Sequence, residues 1–124
     1  MKLIASLLAV TAALSLVGVA LAGVRFSSRV TIQYAVSAEA FLGKVRSEKP
    51  ACRRHRQVTL YFKQRRHGTP HEVGSDRTGR HGAWAVADPA AGMKRLYYAR
   101  AAGRSIAAGR CAPDRSRILR SPGG

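Results

Sequence analysis

The stretch Val58-Thr59-Leu60-Tyr61-Phe62-Lys63 decides the fold class, because its large aliphatic and aromatic side chains recur at every second position. A period of two places Val58, Leu60 and Phe62 on one face of a β-strand and the three intervening residues on the other. A helix would instead require apolar residues three and four positions apart. The stretch therefore predicts a strand with one face against a core and one face toward solvent.

Short runs of the same kind lie on both sides of this strand, with turn residues such as Gly, Pro and Asp between them. They cover residues 30–34, 41–46, 72–77, 83–86, 96–101, 106–111 and 116–120. The alanines between residues 90 and 104 would also suit a helix, but the adjacent Tyr97 and Tyr98 favour a strand there. About seven strands, roughly 8 to 12 residues apart, predict an all-β antiparallel sandwich of immunoglobulin-like or transthyretin-like type.

The alternation also predicts which side chains form the core. Trp84 is the largest of them, and Tyr97 and Phe41 are the other large aromatic members. The full predicted core is Val30, Ile32, Phe41, Val45, Val58, Leu60, Phe62, Trp84, Val86, Tyr97 and Ile118.

The N-terminus carries a mostly apolar run that follows Met1 and Lys2 and ends at Ala20-Leu21-Ala22. A basic start, an apolar run and a small-x-small triplet are features of a bacterial secretory signal peptide. We predict that residues 1–22 are cleaved and that the mature chain is secreted or retained in the cell envelope. The alternative is an uncleaved membrane anchor, because the uncharged stretch from Leu3 to Val24 is long enough to cross a bilayer.

The whole chain of 124 residues has 22 Lys and Arg against 6 Asp and Glu, a formal net charge of +16. Without residues 1–22 it is too short to divide into two cores, so we predict one domain over residues 23–120 and a flexible tail over 121–124. Export would place Cys52 and Cys111 in an oxidising compartment and predicts a disulfide between them. Such a bridge would stabilise this leucine-poor domain by about 4 kcal/mol.

Four short motifs in chain order carry a resemblance to a known family: Gly43-Lys44-Val45, Val58-Thr59-Leu60, residues 74–86 from Gly to Val, and Tyr97-Tyr98-Ala99. This order resembles that of carboxypeptidase-regulatory-like, or transthyretin-like, β-sandwich domains. The chain is also similar to small secreted actinobacterial proteins with two cysteines and many arginines. The resemblance implies a β-sandwich scaffold and carries over no catalytic residues, because such scaffolds occur in many contexts.

The histidines and cysteines raise the possibility of a metal site. His67 and His71 stand four positions apart, but Gly68 and Pro70 between them exclude a regular helix that would bring them onto one face. A two-Cys, two-His zinc site would need Cys52, His55, His81 and Cys111. Their spacing matches no closed zinc module, and export favours oxidation of the thiols. We predict no metal and no cofactor.

The chain also offers little for catalysis. After residue 22 its aspartates are Asp76, Asp88 and Asp114, and none accompanies a serine in a strained G-x-S-x-G turn. Gly79 and Gly82 lack the lysine that a phosphate-binding loop requires. We predict no catalytic residues, and a zinc-dependent or hydrolytic enzyme is the least favoured alternative.

Arginine is the one feature with a clear chemical use, because its guanidinium binds carboxylate or phosphate groups through two parallel hydrogen bonds. The sequence has 17 arginines and 5 lysines. A GC-rich genome or a need for solubility would explain this excess without any ligand. The candidate anion-binding residues form three runs along the chain: Arg53, Arg54 and Arg56; Arg65 and Arg66; Arg110, Arg115 and Arg117, with Arg120 in the same C-terminal cluster. Aromatic residues near them are sparse, with Tyr61 as the expected outward one.

These observations predict a monomeric, non-catalytic structural or interaction module outside the cytoplasm, whose partner the sequence does not name. The alternative is a cationic protein that binds a polyanion: an acidic cell-wall polymer, an anionic membrane lipid or extracellular nucleic acid. Specific recognition of a nucleic acid is not predicted.

Overall fold

β-Strands account for just over half of the residues that the computed structural model describes, which are residues 23–88 and 95–120. The strands are β1 (Arg25–Phe26), β2 (Arg29–Val30), β3 (Gln33–Ala35), β4 (Ala40–Arg46), β5 (Gln57–Lys63), β6 (His71–Arg77), β7 (Ala83–Ala87), β8 (Leu96–Ala101), β9 (Arg104–Ile106), β10 (Gly109–Cys111), β11 (Asp114–Arg115) and β12 (Leu119–Arg120). A single turn of 3₁₀ helix, Pro50–Cys52, precedes β5. The predicted all-β fold is confirmed.

Two main sheets, built by antiparallel pairing, form the sandwich. In the first, β4 is central, with β2 and β3 on one side and β7 on the other. The second has the order β6-β5-β8, and β11 and β12 both pair with the free side of β8. A third, small sheet has the order β1-β10-β9, in which β1 and β10 are parallel.

The core lies between the two main sheets. Phe41 from the first sheet stacks on Tyr97 from the second, with ring centroids 4.2 Å apart. Nine predicted core residues are buried: Val30, Ile32, Phe41, Val45, Val58, Leu60, Trp84, Val86 and Tyr97. Phe62 is half-buried and packs against them, and Ala99 and Ala101 complete the cluster. The period-two patterns therefore identified the inward faces of β4, β5, β7 and β8.

Ile118 was predicted in the core, and this prediction is wrong. It is only half-buried and lies outside the core cluster, whereas Leu119 packs against that cluster. Arg115 lies opposite Arg100, and regular antiparallel pairing from this point would bring Ile118 opposite Tyr97. Leu119 lies there instead, so one extra residue is inserted between β11 and β12. Such an insertion reverses which of the following side chains point toward the core and which point toward solvent.

Two other predicted strands are interrupted. The run 30–34 is divided into β2 and β3, and the hydroxyl of Thr31 accepts a hydrogen bond from the backbone N–H of Lys44 at 2.9 Å in place of a backbone partner. The run 106–111 is the hairpin β9–β10, which turns through Ala107 and Ala108. The structure consequently has more and shorter strands than the seven predicted.

The predicted disulfide between Cys52 and Cys111 is confirmed, with Cα atoms 5.5 Å apart and a sequence separation of 59. It joins the 3₁₀ helix before β5 to β10. The ends of β4, β6 and β8 and the starts of β5 and β7 lie at this same end of the sandwich, which we call the disulfide end.

Several predictions concern residues outside the described part. The signal peptide over 1–22 and the flexible tail over 121–124 both lie there. Within residues 23–88 and 95–120, no helix is long and apolar enough to cross a membrane.

Candidate functional site

Arg56 was a candidate anion-binding residue, but the structure places it in the interior with 1% of its surface exposed. Its Nη1 donates to the carbonyl oxygen of Cys52 and to the hydroxyl of Ser28, both at 2.8 Å. Nη2 donates to the carbonyls of Ala102 at 2.7 Å and Ala112 at 3.0 Å, and Nε donates to Ala102 at 3.2 Å. All five N–H donors are used inside the protein, so Arg56 is a structural residue and not part of a surface patch.

The Arg56 site has unusual electrostatics, because its hydrogen-bond acceptors are neutral groups. Burial lowers the pKa of the Arg56 guanidinium, and the positive charge of Arg104 adds to this effect, while Asp114 opposes it. Arginine remains charged in proteins despite such shifts. The carbonyl dipoles therefore hold a buried cation beside the disulfide and join three separate chain segments around it.

The remaining arginines of the predicted clusters do not form one surface. At the disulfide end, Arg53 is half-buried and its Nε donates to the Ser47 carbonyl at 2.7 Å, while Arg54 and Arg110 are exposed. Arg65 and Arg66 are exposed in the β5–β6 connection, at the opposite end of the sandwich. The chain order of these residues thus gives a poor guide to their positions.

Arg115 and Arg117 lie near each other in sequence but point to different surroundings. Nη2 of Arg117 reaches the carbonyl oxygen of Ile32, 3.2 Å away, on the first sheet. The guanidinium of Arg115 lies over the ring of Tyr98, 5.2 Å from its centroid, on the outer face of the second sheet. This outer face is the best candidate for a binding site.

We call this surface the basic–aromatic face. Its members alternate with the buried residues of β5, β8, β11 and β12, and therefore point away from the core. They are Tyr61, Lys63, Tyr98, Arg100, Arg115 and Arg120.

A stack of three side chains crosses the basic–aromatic face. Tyr61 on β5 and Tyr98 on β8 are cross-strand partners, and their rings stack 5.2 Å apart at an angle of 19°. Arg115 on β11, beyond β8, covers Tyr98 from the other side. Lys63 also approaches the Tyr98 ring, at 5.4 Å. These contacts leave Tyr98 only 7% exposed. The Tyr98 ring in turn attracts Lys63 and Arg115 by cation–π interaction and restricts their positions.

The cations of this face form two rows on either side of the tyrosines. Arg100 lies beside Arg115 in one row, and Lys63 and Arg120 both lie beside Leu96 in the other. The rows are four residues apart along the strands, or about 13 Å at a rise of about 3.3 Å per residue. Among the residues that the structure describes, neither Arg100 nor Arg120 has an ion-pair partner.

The sequence contained part of the information that defines this face. Alternation around Tyr97 placed Tyr98 and Arg100 on the outward side of their strand, and Tyr61 was expected to face outward. The candidate residues were nevertheless selected as runs along the chain, so Lys63 and Arg100 were missed. The missing information was the strand pairing that brings them together.

The outer face of the first sheet has an open groove of about 540 Å³. Lys44 and Arg46 contribute its positive charge, and Leu42 and Ala83 its apolar lining. The large side chain of Trp84 is 98% buried in the core, so the groove offers no open aromatic ring. It is the weaker candidate for an anionic ligand.

Tyr97 and Asp88 form a buried polar pair at the opposite end from the disulfide. The Tyr97 hydroxyl donates a 2.6 Å hydrogen bond to Oδ2 of Asp88, and both residues are buried. Burial, reinforced by this bond and by the Asp88 charge, raises the pKa of Tyr97 to about 12. The pair secures the segment after β7 to the core strand β8.

The bridge occupies both sulfurs of the hypothetical two-Cys, two-His zinc site. Within the described ranges, no group of three or more His, Cys, Asp or Glu side chains is placed to hold a metal ion. Comparisons of the chain with protein-family models, curated proteins and solved structures gave no match.

Proposed function

We propose that this chain is a non-catalytic interaction module outside the cytoplasm and that it binds anionic polymers through the basic–aromatic face. The observation that carries the proposal is the arrangement of Lys63, Arg100, Arg115 and Arg120 in two rows on one sheet surface. Cations on a rigid sheet lose little entropy when they bind, and the Tyr98 ring restricts two of them further. The charge of a polyanion would complement this surface.

The location outside the cytoplasm is supported by two independent observations. The disulfide between Cys52 and Cys111 is typical of an oxidising compartment. The apolar run before residue 23 has the composition of a secretory signal peptide.

We further propose that the sandwich is immunoglobulin-like, and the strand order supports this assignment. The first sheet contains β3, β4 and β7, which correspond in order to strands A, B and E of that fold. The second contains β6, β5, β8 and β11, which correspond to C′, C, F and G. A tyrosine near the start of strand F, whose hydroxyl bonds to the backbone a few residues upstream, is typical of the fold. Tyr97 has the same position in β8, but its hydroxyl bonds to the side chain of Asp88.

Salt-dependent binding to heparin tests the proposed function. We expect the affinity to fall linearly with salt on a double-logarithmic plot, because each neutralised cation releases counterions. The double variant Arg100→Gln/Arg115→Gln should reduce the slope of that plot by about two.

A matched control is available on the opposite side of the sandwich. Arg29 and Arg46 are also exposed cross-strand neighbours, and their face lies beyond one Debye length of about 10 Å from the other. Arg29→Gln/Arg46→Gln should change the affinity and the slope much less. Equal losses in the two double variants, or no binding at physiological salt, would contradict the proposal.

A further inference from the structure

The stack on the basic–aromatic face has an open end. Tyr98 covers the ring of Tyr61 from the β8 side, and β5 lies between β8 and β6. The other ring face of Tyr61 is therefore turned toward the edge strand β6. Tyr61 is half-buried, in contrast to the nearly covered Tyr98. One more flat group could extend the stack at this point.

The residues of β6 leave room for such a group. Ser75 lies opposite Thr59, Glu72 lies opposite Tyr61, and Arg77 lies opposite Gln57, and all three β6 residues are exposed. Val73 is an additional residue in β6, because the pairing shifts between Leu60 and Tyr61. The nearest β6 residues on this face are therefore Glu72, directly opposite Tyr61, and Ser75, one pair further along, whereas Arg77 lies more distant.

Glu72 distinguishes between classes of anionic polymer. Its carboxylate would repel a closely spaced run of phosphates, but it accepts hydrogen bonds from hydroxyl groups. A sugar ring supplies such hydroxyls, and its polarised C–H groups are attracted to the negative face of an aromatic ring. Glu72 therefore favours an anionic ligand whose rings carry hydroxyl groups.

The arrangement of the cations around the tyrosines leads to the same class of ligand. Lys63 and Arg115 come from different rows, and both reach the ring of Tyr98, which stacks on Tyr61. A polymer whose sugar rings carry acidic groups would present charges to these cations and a ring to Tyr61 together. A single open ring also differs from the successive aromatic rings on which single-stranded nucleic acids stack.

We propose that the ligand of the basic–aromatic face is an acidic polysaccharide, one of whose sugar rings stacks on the β6-facing side of Tyr61. This inference rests on the proposed function and specifies its ligand. Arg and Lys side chains bind the carboxylates or sulfates, and Glu72 accepts hydrogen bonds from hydroxyls of the stacked sugar.

The test compares the affinity of the protein for two polyanions. Polygalacturonate has charges, sugar rings and hydroxyl groups, whereas polyphosphate has charges but no sugar rings. Both are measured at the same salt concentration and at the same concentration of polymer charge. Wild-type protein should bind polygalacturonate more tightly. Tyr61→Leu should weaken polygalacturonate binding by about tenfold, the equivalent of about 1.4 kcal/mol. Tyr61→Phe keeps the ring and should retain most of the affinity.

Polyphosphate binding is the internal control, because Tyr61→Leu should leave it within twofold if the variant is folded. Tighter binding of polyphosphate than polygalacturonate by wild-type protein would overturn the inference. An unchanged affinity of Tyr61→Leu for polygalacturonate, or an equal loss for both polymers, would also overturn it. Those results would leave the proposed function intact if polyphosphate still bound, whereas failure to bind any polyanion would contradict both.

Discussion

Replacing the buried Arg56 by methionine should greatly destabilise the protein without touching a surface charge cluster. Methionine replaces the aliphatic part of the arginine side chain, but it lacks the guanidinium and donates no hydrogen bonds. The carbonyl oxygens of Cys52, Ala102 and Ala112 would each lose a charged donor. A buried acceptor that loses its partner costs about 1–3 kcal/mol.

The total effect is smaller than the sum of these losses, because the variant no longer has to bury a cation. Water can also reach acceptors that are only partly buried. We therefore expect a loss of about 3 kcal/mol in the free energy of unfolding, within a typical total of about 5–15 kcal/mol. For a domain of this size the melting temperature should fall by about 10–25 °C.

Thermal and urea unfolding followed by circular dichroism would measure the change. Arg54→Met removes the same charge from an exposed neighbour and should alter stability by less than about 0.5 kcal/mol. Arg56→Lys retains a charge, but its three donors cannot reproduce the planar fork, so it should recover little. A loss below about 1 kcal/mol in Arg56→Met would refute the assignment of Arg56 as a structural residue.

Three further perturbations test other parts of the fold. Gly43→Ala would place a methyl group against the carbonyl oxygen of Thr31 and should destabilise by about 1–3 kcal/mol in urea unfolding, whereas Gly79→Ala has open space and should have little effect. The raised pKa of Tyr97 means that the folded state holds its proton more tightly, so this stabilisation is complete below pH 10 and is lost as the pH rises toward about 12. The stability difference between wild type and Tyr97→Phe should shrink by about 3 kcal/mol over that interval, and a constant difference would contradict the role of the bond to Asp88. Reduction of the disulfide should cost about 2–5 kcal/mol, and an unchanged urea midpoint would show that the bridge contributes nothing.

Period-two patterns predicted the fold well because each long strand has one face in the core. Val58 and Leu60 alternate with outward residues over an unbroken strand, and their burial follows directly from that pattern. The same reasoning failed at Ile118, where one inserted residue exchanges the faces. An insertion of this kind changes the pairing and leaves no mark in the local alternation of side chains.

The candidate site was predicted less well, because it depends on which residues meet across strands. Arg56 lies next to Arg53 and Arg54 in the sequence, yet it is buried beside carbonyl groups from distant segments. No local pattern distinguishes it from its exposed neighbours. Arg100 and Arg115 are 15 positions apart in numbering and become neighbours only through the pairing of β8 with β11.

The buried cation also connects the stability of the disulfide end to the proposed binding face. Arg56 immediately precedes β5, and its acceptor Ala102 immediately follows β8. These two strands carry Tyr61 and Tyr98, the two aromatic members of the stack. Because one guanidinium joins the ends of both strands, loosening it would relax the spacing of the cations at the same time as it lowers stability. At one polyanion concentration, the ligand should therefore raise the melting temperature of Arg56→Lys less than that of wild type, because stabilisation by a ligand increases with its affinity for the native state.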